Sequence, residues 1–249
     1  MTRITQRTDI VDVDGSAMEV FVFQPDQDGP LPGLVLAQHI PVGHTGIEND
    51  TFTLATAERF AAAGFVVAAP FIFHRWPKDA AIERKRAEAR DDWMVADVRA
   101  AFELLRRDRA VAADRIGVVG HCWGGRVAWL AACHLPDLAA CAMFYGGRIK
   151  LAMGPGSVPA IDLAGNIRCP VIGFFGNDDA NPSPADVDDY ERALSAAGVS
   201  HTFYRYAGAG HAFQNFPTPE RYRETASEDA WSKVLAFLAR TLATEVPGR

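Results

Sequence analysis

The chain has 249 residues, 49% hydrophobic and 22% charged, the balance of an ordinary globular protein with material for one large core. A formal net charge of −6 excludes nucleic acid as the main partner, because phosphate contacts require a basic surface. No segment approaches the roughly 20 apolar residues that cross a bilayer, and the opening MTRITQRTDIVDVDG lacks the apolar stretch of a secretion signal. The expectation is therefore a single domain over 1–249, located in the cytoplasm, with no membrane partner.

In chain order, 10–14 and 18–23 read as two strands joined by a turn at Gly15-Ser16. LPGLVLAQ (31–38) is a short continuous apolar run, as in a strand buried on both faces. A helical segment follows at about 50–63, stopped by Gly64, and then the buried strand FVVAAP (65–70). One long helix is expected over 84–108; its basic run ERKRAEAR (83–90) interleaves acids and reads as a solvated face. RIGVVG (115–120) is a strand feeding a helix at 123–134, and AACAMFY (139–145) and VIGFFG (171–176) are further buried strands. Ser183-Pro184-Ala185-Asp186 opens a helix with a hydroxyl cap, a first-turn proline and an acid; that helix should end before Gly198. HTFYRY (201–206) is the last strand and 219–242 the last helix. Strands alternating with helices imply an α/β protein with a mainly parallel central sheet and helices on both faces. In such sheets the chemistry gathers beyond the carboxyl ends of the strands.

The four cysteines, 122, 133, 141 and 169, show no CxxC spacing, so neither a zinc site nor a dithiol motif is indicated and free thiols are expected. Three need no explanation beyond packing. The fourth lies in GVVGHCWGGR (117–126), which admits two chemical readings. A phosphate-binding loop would need lysine at 126 and Ser or Thr at 127, and the chain has Arg126 and Val127. GPGSVP (154–159) likewise lacks the third glycine and preceding strand of a dinucleotide site. The second reading is a nucleophile elbow. Gly120-His121-Cys122-Trp123-Gly124 matches Gly-x-nucleophile-x-Gly between a strand and a helix. A nucleophile on so tight a turn tolerates only small residues two places either side. The turn sets its side chain at the amino end of the next helix, where the dipole and free N–H groups favour a thiolate and a developing oxyanion. The plainer alternative is a buried thiol beside a glycine turn.

An activated thiol needs a base, and the base needs an orienting carboxylate. In this fold they should follow in the order nucleophile, acid, histidine. After VIGFFG comes Asn177-Asp178-Asp179, and after HTFYRY comes AGAGHAF with His211; both lie at carboxyl ends of expected strands.

From LVLAQHI (34–40) to AGHAF (209–213) the sequence resembles the dienelactone hydrolase family of α/β-hydrolases, the carboxymethylenebutenolidase-like members included. LVLAQHI, GHCWGGR, FFGNDDANPSP and AGAGHAF carry the resemblance, with FYGG (144–147) as a weaker fifth; cysteine in the elbow is its most specific mark. The resemblance implies the α/β-hydrolase fold, Cys122 as nucleophile, His211 as base and Asp179 as acid, with Asp178 as the alternative. It also implies oxyanion donors in the backbone N–H of Ile40 and Trp123, and Tyr145 as a lining of the pocket. Two positions depart from it. His39 stands where dienelactone-cleaving members have a glutamate against the resting thiol, which points to a pocket-lining role for His39 and activation by His211. Asn215 stands where those members have a carboxylate-binding arginine; a second such arginine corresponds to Arg84, Arg86 or Arg90.

The function expected is hydrolysis of a small-molecule ester or lactone through an acyl-enzyme, by a Cys122–His211–Asp179 triad. Neither a metal nor an organic cofactor is required: no histidine lies in an HExxH pattern, and His39 and His44 flank Pro41 and Gly43 in a loop. Two other classes compete, a non-catalytic small-molecule binding protein on the same fold and a thiol redox sensor using Cys122. Segments 71–92 and 148–166 are expected to roof the pocket, with Phe71, Phe73 and Trp76 either facing an apolar ligand or packing in the core.

Overall fold

The computed structural model describes residues 2–40 and 46–243; the expected loop around Pro41, Gly43 and His44 lies outside them. The first two strands, β1 (Ile4–Val13) and β2 (Ser16–Pro25), form an antiparallel hairpin. Its turn residues Asp14 and Gly15 both have positive φ, 54° and 79°, as a tight hairpin of this twist requires. β1 starts earlier than the apolar pattern suggests because it is an edge strand, mostly exposed, and so shows little hydrophobic alternation.

β3 (Leu31–Ala37), β4 (Val66–Pro70), β5 (Val111–His121), β6 (Ala140–Phe144), β7 (Val171–Gly176) and β8 (His201–Tyr206) complete one sheet in the order β1-β2-β4-β3-β5-β6-β7-β8. From β4 to β8 every neighbouring pair is parallel, while β1–β2 and β2–β4 are antiparallel. β4, β6 and β7 are buried along their whole length, which their unbroken apolar runs express. Helices α1 (Thr51–Ala62), α3 (Asp91–Arg107), α4 (Trp123–His134) and α5 (Pro184–Ala196) lie between consecutive parallel strands, except that β6 and β7 are joined by a loop with a 3-10 turn at Ala160–Asn166; α6 (Glu224–Thr241) is the last helix. α5 carries the expected cap: Ser183 and Asp186 exchange side-chain and backbone hydrogen bonds in a capping box.

Two helix expectations are corrected. The segment 84–108 is two helices, α2 (Ile82–Glu88) and α3, broken at Ala89 and Arg90, which are extended. No Gly or Pro marks the break because tertiary contacts make it. Asp91 N–H donates to Met153 O, and the Asp91 carboxylate accepts from Met153 N–H and from the buried Arg126. The last helix starts at Glu224, not 219: Pro217 and Pro219 hold a run of turns, and Arg223 N–H donates to Phe213 O.

The register aligns a row of rings across the carboxyl half of the sheet. His121 lies opposite Phe144, Phe144 opposite Phe174, and Phe174 opposite Tyr204. Their planes stack within 15° of parallel at centroid distances of 4.4, 4.5 and 5.6 Å. This row is a stiff floor beneath the loops that leave β5, β6 and β7. Among the described residues no helix is long and apolar enough to cross a membrane.

Candidate active site

Cys122 follows the last residue of β5 and precedes α4, with φ 55° and ψ −116°, a conformation costly for any residue but glycine. Its amide donates to Phe144 O at 2.9 Å, and its carbonyl accepts from Gly125 N–H at 3.0 Å, so both sides of the bend are held. The flanking glycines are a steric necessity. A Cβ on Gly120 would stand 1.9 Å from Gly124 O, and one on Gly124 would stand 2.1 Å from Ala37 O.

The loop after β8 brings His211 to the thiol. His211 Nε2 lies 3.0 Å from Cys122 Sγ, and His211 Nδ1 lies 2.8 Å from Asp179 Oδ2. Asp179 is buried, and its other oxygen accepts from Asn181 N–H at 2.8 Å. Asp178, the other acid in that loop, is exposed and spends its backbone N–H on Ala209 O. Burial alone would push the His211 imidazolium toward losing its proton. The hydrogen bonds to Asp179 and Cys122, and the negative charge they carry, outweigh burial and raise its pKa to about 10. The ring of Tyr145 meets His211 edge-on at 5.3 Å, and burial drives the Tyr145 phenol well above its ordinary pKa.

A second bond ties the same two segments together. His121 Nε2 lies 2.9 Å from Gln214 Oε1, linking the residue before the thiol to the loop that carries His211. Burial drops the His121 pKa to about 3, so the ring is neutral. The tie leaves no trace in the sequence, since a buried histidine between Gly120 and Cys122 carries no pattern of its own.

The cleft above Cys122 has two lobes that share Ile40, Arg86, Cys122 and His211. The first, about 390 Å³, is lined further by Trp123, Gly147, Arg148, Asp178 and Asn181. The second, about 310 Å³, is lined further by His39, Phe52, Tyr145, Asn215 and Arg221. Ile40 and Trp123 line the cleft together with Cys122, and their N–H groups make no backbone hydrogen bond among the described residues. His39 is buried, with Nε2 2.9 Å from Asp50, the carboxylate that also caps α1 through Thr53 N–H. Burial would raise the Asp50 pKa, but the bonds from His39 and Thr53 hold it below the usual value. Of the three arginines considered for the 84–90 region, Arg86 reaches the cleft, while Arg84 pairs with Glu88 and Arg90 with Asp92. Phe71, Phe73 and Trp76 are buried in the core and line neither lobe, so packing accounts for them. Arg221 and Phe52 lie in no motif of the sequence; Asn181 lies within FFGNDDANPSP and Arg148 opens the segment 148–166, but neither carries a pattern of its own. Among the described residues no three His, Cys, Asp or Glu side chains cluster as a metal site would need.

A buried mixed sheet with its polar groups collected beyond β3, β5, β6, β7 and β8 defines a class of protein, the α/β-hydrolase fold. Residues 18–242 match the family model described as "Dienelactone hydrolase family", and the chain belongs to that family. It is thereby a hydrolase of the carboxylic ester and lactone class. The chain is 29% identical over 234 residues to the "Putative carboxymethylenebutenolidase" of Salmonella typhimurium, covering 91% of this chain and 84% of that protein. It is 29% identical over 244 residues to the "Probable 2-oxo-3-(5-oxofuran-2-ylidene)propanoate lactonase" of a Bradyrhizobium species, covering 96% of each. The crystal structure of a "Putative Dienelactone Hydrolase" from Klebsiella pneumoniae superposes with a TM-score of 0.85 at 27% identity, covering 96% of this chain and 99% of that one.

Proposed function

We propose that this hydrolase works by acyl transfer to Cys122, with His211 as the proton carrier and Asp179 as its orienting acid. The observation that carries the reading is the unbroken relay of 3.0 Å and 2.8 Å contacts from thiol to imidazole to buried carboxylate. The proton shared between Cys122 Sγ and His211 Nε2 lies on the imidazole as the sulfur attacks the ester carbonyl. The carbonyl electrons move to oxygen, where the N–H groups of Ile40 and Trp123 receive the charge; one such donor is worth on the order of 3 kcal/mol of barrier. The tetrahedral intermediate collapses, the C–O bond breaks, and the alkoxide leaves with the proton from His211. Water, deprotonated by His211, then cleaves the thioester and restores the thiol. Asp179 keeps the Nδ1 proton in place and stabilises the imidazolium. A reducing cytoplasm suits this chemistry, because the nucleophile has to stay a free thiol.

The names of the two relatives describe unsaturated lactone rings bearing an exocyclic carbon chain that ends in a carboxylate. The same substrate type suits this cleft. Arg86 and Arg221 line the second lobe and make no ion pair among the described residues, which leaves two cations for one carboxylate. Asn215, at the position the resemblance associates with such an arginine, lines the same lobe beside them.

The test compares wild-type protein with Cys122→Ala on p-nitrophenyl acetate and a simple enol lactone. Turnover by Cys122→Ala should fall by roughly 10⁴-fold or more; equal rates would end the nucleophile assignment.

A further inference from the structure

The arginines of this chain are mostly engaged. Arg59, Arg75, Arg106 and Arg205 sit against carboxylates, and Arg126 is buried with Asp91. Three that border the cleft are not. Arg86, Arg148 and Arg221 form no ion pair or side-chain hydrogen bond among the described residues, on a chain of net charge −6. Arg221 belongs to the second lobe alone, Arg148 to the first lobe alone, and Arg86 borders both.

Arg148 is held where it is by an investment in buried charge. Its backbone is left-handed, φ 58°, a conformation unfavourable for a residue with a Cβ. Its carbonyl accepts from Leu151 N–H and from Arg126 Nη1. Arg126 is 2% exposed, donates to Leu151 O as well, and is clamped bidentately by Asp91 at 2.7 and 2.8 Å. The strut thus sets the main chain of residue 148 at the rim of the first lobe and leaves the residue exposed, with no ion pair among the described residues. Asp178 lines the same lobe and is exposed, yet makes no ion pair with it.

We infer that Arg148 is a specificity-determining residue for a second anionic group, so that the substrate carries a carboxylate on each side of the scissile carbonyl. The two lobes meet at Cys122, Ile40 and His211, so the acyl portion of an ester occupies one and the alkoxy portion the other. Arg221 and Arg86 receive the anion of the second lobe, and Arg148 receives that of the first. Asp178 sets the opposing term: it discourages an anion in the first lobe unless that anion reaches Arg148. The inference rests on the hydrolase reading above for the orientation of the substrate, and its test is kept separate from turnover.

Binding is measured by titration calorimetry on full-length Cys122→Ala with four anilides, which resist hydrolysis. They are the anilides of fumaric and crotonic acid, each with or without a carboxylate at the ring 4-position. The series places an anion on the acyl side, on the amine side, on both or on neither, at nearly constant shape. The doubly charged anilide should bind roughly tenfold tighter than either singly charged one, the worth of one charge-assisted contact. Adding Arg148→Gln should erase one of the two tenfold steps and spare the other, Arg148→Lys should restore part of it, and Asp178→Asn should enlarge it. The uncharged anilide should bind all variants equally, which reports an intact cleft. Equal affinity for singly and doubly charged anilides would overturn the inference, as would an Arg148→Gln loss shared by all four compounds. Turnover of the matching aryl esters by wild type and Cys122→Ala, read separately, bears on the nucleophile and leaves these binding ratios untouched.

Discussion

Four identical thiols occupy two kinds of place in this molecule, and the contrast between them explains the site. Cys133, Cys141 and Cys169 lie in the core around α4, β6 and β7. Burial pushes the Cys133 and Cys169 thiols up to about 12 and Cys141 well above its ordinary value, and none can ionise near neutral pH. Cys141 spends its S–H on Ala128 O at 3.5 Å. Cys122 is half-buried on a strained bend, at the amino end of a helix, with an imidazole 3.0 Å away. Chemistry at sulfur depends on access and on a proton acceptor in contact, and only the elbow supplies both. In the core the same residue serves as a small apolar filler.

Three measurements would sharpen or break the contrast. Asp179→Asn keeps the shape of the relay but removes the carboxylate charge beside His211 Nδ1. It should lower kcat by roughly 10³ to 10⁴-fold with KM little changed; a loss of less than tenfold would place the orienting acid elsewhere. Iodoacetamide titration of native protein at pH 7, followed by peptide mapping, should label Cys122 roughly a hundredfold faster than the other three, whose reaction waits on opening of the core. Comparable labelling of all four would show that the imidazole contact gives the elbow thiol no advantage. Cys141→Ala should be the mildest change, destabilising by about 1 kcal/mol through a small cavity in chemical denaturation. Its kcat should stay at the wild-type level; a lost kcat would mean that the core thiols share in the reaction.

The readable parts of this protein were those in which one local constraint forces one residue type. Gly120 and Gly124 announce the bend because any side chain there would collide with backbone, and the apolar runs 66–70 and 171–176 announce strands buried on both faces. Asp179 and His211 were reachable because a doubly wound sheet collects the ends of its strands, so position after a strand stands in for position in space. Which of Asp178 and Asp179 meets His211 is set by the packed loop, since adjacent residues in a loop point in different directions.

By itself, then, the amino-acid order determined the strand–helix alternation, the elbow and the chain order of thiol, acid and imidazole, all of which follow from short-range sterics and hydrophobic periodicity. The folded molecule alone decided the break between α2 and α3, the His121–Gln214 tie and the Arg126–Asp91 strut. It also decided which arginines face the cleft without an ion pair among the described residues. Those features join residues dozens of positions apart through directional hydrogen bonds, and a directional bond between distant segments leaves no periodic trace in the chain that makes it.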